Sequence, residues 1–154
     1  MHEPLLIKHT HRGIGLRVLG LGPSLTPVNG IKKLHDLFKA NTSWANQRRT
    51  KDIKKMISKS NIIVSAWDNK KIIGFGRATT DEIYRATLWD IVVDKNYQRL
   101  GIGGKIINLI INDKKLIQVE NIYIMTTQCE KFYIKMGFQK EGRQNLMVLK
   151  KSNF

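Results

Sequence analysis

The stretch Val93-Asp-Lys-Asn-Tyr-Gln-Arg-Leu-Gly-Ile-Gly-Gly-Lys-Ile-Ile107 closes one apolar run, gathers three glycines within four residues, and opens a second apolar run. Glycine weakens regular structure because it loses the most backbone freedom on folding, so its concentration at a strand-to-helix handover needs a reason. Three phosphate-cradling loops could supply one. A P-loop requires Gly-x4-Gly-Lys-Ser/Thr; counted back from Gly104-Lys105, its first glycine falls on Arg99 and its hydroxyl residue on Ile106. The dinucleotide fingerprint Gly-x-Gly-x-x-Gly, started at Gly101, also requires glycine where Ile106 stands. What remains is Gln98-x-x-Gly101-x-Gly103 between an apolar strand and an apolar helix. Amides at a helix N-terminus are unpaired and carry partial positive charge, which suits a pyrophosphate. Glycines at 101, 103 and 104 keep side chains out of the ligand's approach, and Arg99 and Lys105 add formal charge. The alternative is an ordinary strand–turn–helix with incidental glycines.

Working outward, NIIVSAWD (61–68) and KIIGFGRAT (71–79) are β-branched and aromatic runs separated by Asn69-Lys70, which reads as a hairpin. TLWDIVVD (87–94) is a third strand, too apolar for an exposed one, and Ile106, Ile107, Leu109, Ile110 and Ile111 mark the helix after the glycines. NIYIMTT (121–127) predicts a further strand, QCEKFYIKMG (128–137) a short helix stopped by Gly137, and NLMVLK (145–150) a closing strand. Upstream, GIGLRVLG (13–20) predicts a first strand and GPSLTPVNG (22–30) a loop. The apolar spacings Ile31, Leu34, Leu37, Phe38 and Ile53, Met56, Ile57 predict helices over 31–40 and 51–58. Helices, a three-strand meander, then β-α-β-α-β point to an α/β or α+β domain on a mixed sheet.

A length of 154 residues fits one domain, with 42% hydrophobic and 25% charged residues as in ordinary soluble proteins. The apolar runs are far shorter than the roughly 20 residues of a membrane helix, and the start, MHEPLLIKHTHRG, lacks the apolar core of a signal peptide. The chain is therefore expected to work in the compartment where it is made, or to have lost its leader already. One cysteine, Cys129, excludes an intrachain disulfide; it is expected to be small and buried or half-buried rather than nucleophilic. His2, His9, His11 and His35 have no metal-ligand spacing, and His9-x-His11 reads as a solvated tail. Trp44, Trp67 and Trp89 read as core aromatics, although Trp89 beside Asp90 could line an aryl-amine pocket. The unusual quantity is charge: 27 Lys and Arg against 12 Asp and Glu give +15 and a pI near 10.1. Such a field attracts nucleic acid, an anionic membrane, a ribosome or a phosphate-bearing cofactor. The composition, rich in Lys, Ile and Asn together, is also what an A/T-rich genome produces.

Val93 through Gly104 resembles the acyl-CoA pyrophosphate loop of the GCN5-related N-acetyltransferase (GNAT) superfamily, and Phe132-Tyr133-Ile-Lys-Met-Gly137-Phe138 resembles its second signature, at the expected distance downstream. The resemblance covers about residues 60–150. Gly74-Phe-Gly-Arg-Ala-Thr-Thr-Asp81 and Ala86-Thr-Leu-Trp-Asp-Ile-Val-Val-Asp94 are further similar to plastid-type members acting on serotonin or on plastid proteins. The resemblance implies a single GNAT-like domain over 1–154, its mixed sheet carrying two parallel strands splayed around an acyl-CoA site. It implies acetyl-CoA as co-substrate, with no metal, and transfer to a primary amine in a ternary complex. The acceptor would be a small arylalkylamine such as serotonin, or a protein lysine or N-terminal amine. Location would be the plastid stroma for a plastid-encoded chain and a bacterial-type cytoplasm otherwise. The rival class is a basic nucleic-acid- or ribosome-binding module on a degenerate acetyltransferase fold.

Carried onto these residues, the resemblance puts pantetheine along the backbone of Ile91, Val92 and Val93, with an N–H near Val92 facing the thioester carbonyl. The pyrophosphate would lie on Arg99, Leu100, Gly101, Ile102, Gly103 and Gly104. Tyr133 takes the general-acid position; its plain alternative is a core aromatic beside Phe132. Thr126 and Thr127 stand where relatives place a CoA-contacting Asn. Asp90, a carboxylate amid TLWDIVV, is a candidate general base, with pairing to an Arg as the structural alternative and Asp81, Glu82 or water as other bases. The acidic residue that some relatives carry early in the second parallel strand is absent from Asn121-Ile-Tyr-Ile.

Overall fold

The computed structural model describes residues 2–151. Five strands form one sheet in the order β1 (Leu5–His9), β2 (Ile62–Asp68), β3 (Lys71–Thr80), β4 (Arg85–Val93) and β5 (Asn121–Ile124). The first four are antiparallel neighbours and β4–β5 is parallel. Six of the seven β2 residues are buried, because helices cover both sheet faces. On one face α1 (Ile14–Arg17), α2 (Gly30–Asn41) and α3 (Thr50–Ser58) pack Leu16, Leu34, Phe38, Ile53 and Ile57 onto Ile63, Trp67, Phe75 and Val92. On the other, α4 (Ile102–Ile111) and α5 (Glu130–Lys135) cover Val64, Ile73, Ala78 and Leu88 through Ile102, Ile106, Ile107, Ile110 and Tyr133. Gly76 makes the α4 approach possible: a Cβ there would lie 2.7 Å from Ile106 Cγ2 and 2.8 Å from Ile91 Cδ1.

The meander, both early helices and the β4–α4–β5–α5 order match the sequence expectations; three segments do not. Residues 13–20 are not a strand: positive φ at His11, Arg12 and Gly13 turns the chain into α1, which buries Leu16 completely. The first strand is instead LLIKH, paired from Leu5↔Trp67 to His9↔Ile63. His9 is accordingly no solvated tail but half-buried, its Nε2 2.6 Å from Ser65 Oγ. The closing strand over 145–150 is absent: Leu146, Met147, Val148 and Leu149 are all at least 71% exposed and in no strand. Cys129, expected to be buried or half-buried, is exposed. Trp67 is core as expected, whereas Trp44 is 55% exposed. Among the described residues no helix is long and apolar enough to cross a membrane.

Candidate active site

The parallel pair lets go early. β4 and β5 are in register from Arg85↔Asn121 to Leu88↔Ile124, after which β5 ends and β4 continues alone to Val93. At the point of separation the β3–β4 register slips between Phe75 and Arg77, and Asp90 takes φ +56°. This is a β-bulge: one extra residue on β4, bending the strand and re-aiming its side chains. Trp89 pairs with Arg77 and Val92 with Phe75, so the extra residue turns Trp89 and Asp90 together toward the α2–α3 face.

Beyond the bulge, the Asp94 N–H donates to the Ile73 carbonyl at 2.8 Å. Hydrogen-bonded pairs alternate along an antiparallel ladder, so the Val92 peptide also bonds toward β3. The peptides of Ile91 and Val93 then point the other way, into the gap, and the Val93 carbonyl accepts from Gln98 Nε2 at 3.2 Å on that side. The gap-facing N–H groups are therefore those of Ile91 and Val93, flanking the expected Val92.

The glycine loop follows directly. Asp94 caps the turn at Lys95–Tyr97 by accepting from the Asn96 N–H. Burial would raise the Asp94 pKa, but the Lys71 ammonium at 2.8 Å and the Asn96 amide hold it below the ordinary value. Arg99 and Gly101 adopt φ +64° and +78°, and α4 begins at Ile102. From Gln98 to Gly104 no backbone N–H finds an acceptor among the described residues; the first to bond is that of Lys105, to the Gly101 carbonyl at 3.0 Å. Seven consecutive amides without a protein acceptor, ending in a helix N-terminus, are backbone of the kind that binds anions. The glycines divide the work: a Cβ at Gly101 would meet nothing within 4 Å, whereas at Gly103 it would lie 3.3 Å from Phe132 Cζ and at Gly104 3.6 Å from Met136 Sδ. Gly101 thus leaves the approach open, Gly103 lets Phe132 of α5 come close to α4, and at Gly104 a Cβ would make only an ordinary contact. Lys105 is held by Glu3 at 2.8 Å, and Leu100 is 49% exposed.

Tyr133 is buried to 8% exposure between Phe132 and Phe138, edge-to-face with both at centroid distances of 5.1 and 5.8 Å. Its hydroxyl makes no hydrogen bond among the described residues, yet it is not sealed off, since no fully buried side-chain oxygen lacks a partner. Burial pushes the phenol up to about 12, with the neighbouring Cys129 thiol acting in the same direction. It is therefore a protonated donor throughout the physiological range. Thr126 and Thr127 follow β5 and are exposed; Thr126 Oγ1 accepts from the Cys129 N–H at 3.0 Å and so caps the approach to α5.

Across the sheet, Asp90 is committed to two guanidiniums. Its Oδ2 accepts from Arg77 Nε at 2.7 Å and Arg48 Nη1 at 3.0 Å, with the carboxylate only 4% exposed. Breaking a buried pair of this kind is costly because it strands the remaining charge. Arg48 lies over the rings of Phe38 and Trp44 at 5.6 and 5.3 Å, and Arg77 over Trp89 at 5.8 Å. Sequence reasoning missed Arg48, because nothing in TSWANQRR marks it: only the fold brings it across 42 positions to Asp90. Asp81 caps its own turn through the N–H groups of Ile83, Tyr84 and Arg85, and Glu82 is exposed beside it. The described residues contain no group of three or more His, Cys, Asp or Glu placed to hold a metal.

Residues 59–140 match the family described as acetyltransferase (GNAT) domain. A relative named "Uncharacterized N-acetyltransferase ycf52", from Pyropia yezoensis, is 33% identical over 100 residues, covering 62% of this chain and 58% of that protein. "GCN5-related N-acetyltransferase 2, chloroplastic" of Arabidopsis thaliana is 34% identical over 73 residues, covering 47% of this chain and 28% of the relative. The matched segments thus span only part of these relatives' own lengths. Among solved structures, a GNAT-family acetyltransferase of Streptococcus pneumoniae TIGR4 superposes with a TM-score of 0.72 at 17% identity, covering 97% of this chain and 100% of that one. That likeness is one of fold.

Proposed function

The chain belongs to the acetyltransferase (GNAT) family, and from that membership we propose that it moves an acetyl group from acetyl-CoA to a primary amine by direct attack in a ternary complex. One observation carries the reading: the gap between β4 and β5 opens onto an unbroken series of free amides. Ile91 and Val93 offer peptides to an amide-rich pantetheine arm, and Gln98 to Gly104 offer N–H groups to a pyrophosphate. Neither feature is needed by a chain that only binds a polyanion through lysines.

The chemistry assigned to this chain's residues is then short. A gap-facing N–H of Ile91 or Val93 steadies the oxygen that turns anionic when an amine attacks the thioester carbon. Tyr133 Oη gives its proton to the sulfur as the carbon–sulfur bond breaks. Asp90 is a positioning residue, fixing Arg48 and Arg77 at the bulge, and the ammonium proton leaves to water. The chloroplastic and ycf52 relatives support the plastid as the place of action. One assay tests the reading: acetyl-CoA and an amine are incubated with the chain, and free thiol and acetyl-amine are followed together. Equal release without an acetylated protein intermediate in the mass spectrum is expected; a stoichiometric acetyl-protein adduct on the reaction path would overturn direct transfer.

A further inference from the structure

We infer that the acceptor amine is carried by an acidic peptide or protein segment, read by Arg48 and the basic α1–α3 layer, and is not a free cationic arylalkylamine; this rests on the acetyltransferase reading. The first observation concerns where the charge lies. Residues 10–60 hold eleven Lys and Arg against two Asp, a net +9 of the chain's +15. Both acids are spoken for: Asp36 by Lys32 at 2.9 Å and Asp52 by Arg49 at 2.7 Å. All of this sits in one layer, on the sheet face toward which the bulge turns Trp89 and Asp90.

The second observation is that no free carboxylate there faces an incoming ammonium. Of the chain's twelve carboxylates, only Glu82 and Glu120 have side chains without a hydrogen-bond or ion-pair partner among the described residues. Both precede the first residues of β4 and β5, Arg85 and Asn121, at the end of the sheet opposite the gap. At about 3.3 Å per residue that start of β4 is roughly 16 Å from Asp90. Asp90 itself is occupied twice over.

The third is Arg48. Its guanidinium is fixed by Asp90, Phe38 and Trp44, its side chain is 32% exposed, and its Nε and Nη2 have no partner among the described residues. A pre-oriented guanidinium with open N–H groups fits a carboxylate of the acceptor. The surrounding lysines steer the same ligand and repel a free cation.

The test uses the full chain at saturating acetyl-CoA and three peptides of equal length with one primary amine, flanked by acidic, neutral or basic residues, with tryptamine as a fourth acceptor. The acidic peptide is expected to have the highest kcat/KM, by ~10-fold or more over the basic one. The preference should shrink as salt rises through about 0.15 M, where the Debye length is about 8 Å. The exposed double variant Lys51→Ser/Lys55→Ser should raise KM for the acidic peptide several-fold at unchanged kcat, and Arg48→Gln should remove more of the preference. Peptides turned over within twofold of one another, or tryptamine preferred at all salt concentrations, overturn the inference. If acetyl-CoA binds but the acidic peptide is not acetylated, the inference alone falls; if acetyl-CoA does not bind, the acetyltransferase reading falls and takes it along.

Discussion

Tyr133→Phe isolates one proton. The substitution keeps the ring and its edge-to-face contacts with Phe132 and Phe138. The hydroxyl it deletes has no protein partner among the described residues, so no buried group is orphaned and stability should change by less than about 1 kcal/mol. With the phenol pushed up to about 12, the fraction ionised at pH 8 is about 1 in 10⁴, so nearly every molecule holds the proton to be donated. Loss of a positioned acid lowers the chemical step by roughly 10²- to 10⁴-fold, or about 2.7–5.4 kcal/mol in barrier. Because the interaction forms only as the sulfur departs, kcat and kcat/KM should fall together while acetyl-CoA affinity stays put. Stopped-flow thiol release and calorimetric titration of the same preparation measure both. Activity within about threefold of the parent, or a loss confined to KM, refutes the general-acid role and leaves Tyr133 as a packing residue.

Gly101→Val, whose side chain would project where no protein atom lies, should weaken CoA binding at least tenfold, about 1.4 kcal/mol, with only about 1–2 kcal/mol of left-handed backbone strain in a melt. Gly103→Val should instead register first as lost stability, because it collides with Phe132 across the α4–α5 contact; the paired melts and titrations distinguish the two. Gly76→Ala should destabilise by about 1–3 kcal/mol through overpacking against Ile106 and Ile91, read by urea unfolding. His9 adds a pH dependence: burial lowers it to about 4, against about 6.5 in the unfolded chain. Between those values the unfolded state binds more protons, so stability present above about pH 6.5 is lost as pH falls toward 4, by about 3 kcal/mol. His9→Gln should remove that component from the pH series.

The half that matches the acetyltransferase (GNAT) family was legible because its signals are local. Alternating β-branched runs, the glycines after Val93 and the apolar period of α4 act within a few residues, and each landed where expected. What was hidden depends on distant partners. LLIKH becomes a strand only because β2 offers an edge to pair with, and GIGLRVLG, strand-like in composition, is diverted by left-handed backbone at His11, Arg12 and Gly13. NLMVLK has strand composition but no partner, and composition alone does not make a ladder. The bulge that gives Asp90 a φ of +56° has no signature in TLWDIVV. It decides which amides face the gap and which guanidiniums meet the carboxylate, so pairing of Asp90 to an arginine was legible as one alternative while the identity of its two arginines was not.

The central claim is that the free amides after β4 are the acyl-CoA site. Titrating the isotope-labelled chain with CoA while following every backbone amide by NMR tests it directly. The account predicts saturable shifts, at one site per chain, concentrated on Gln98 to Gly104 and on Ile91 and Val93, all reduced together in Gly101→Val. Saturable shifts centred on the lysines of α3, with the loop amides unmoved, would contradict it.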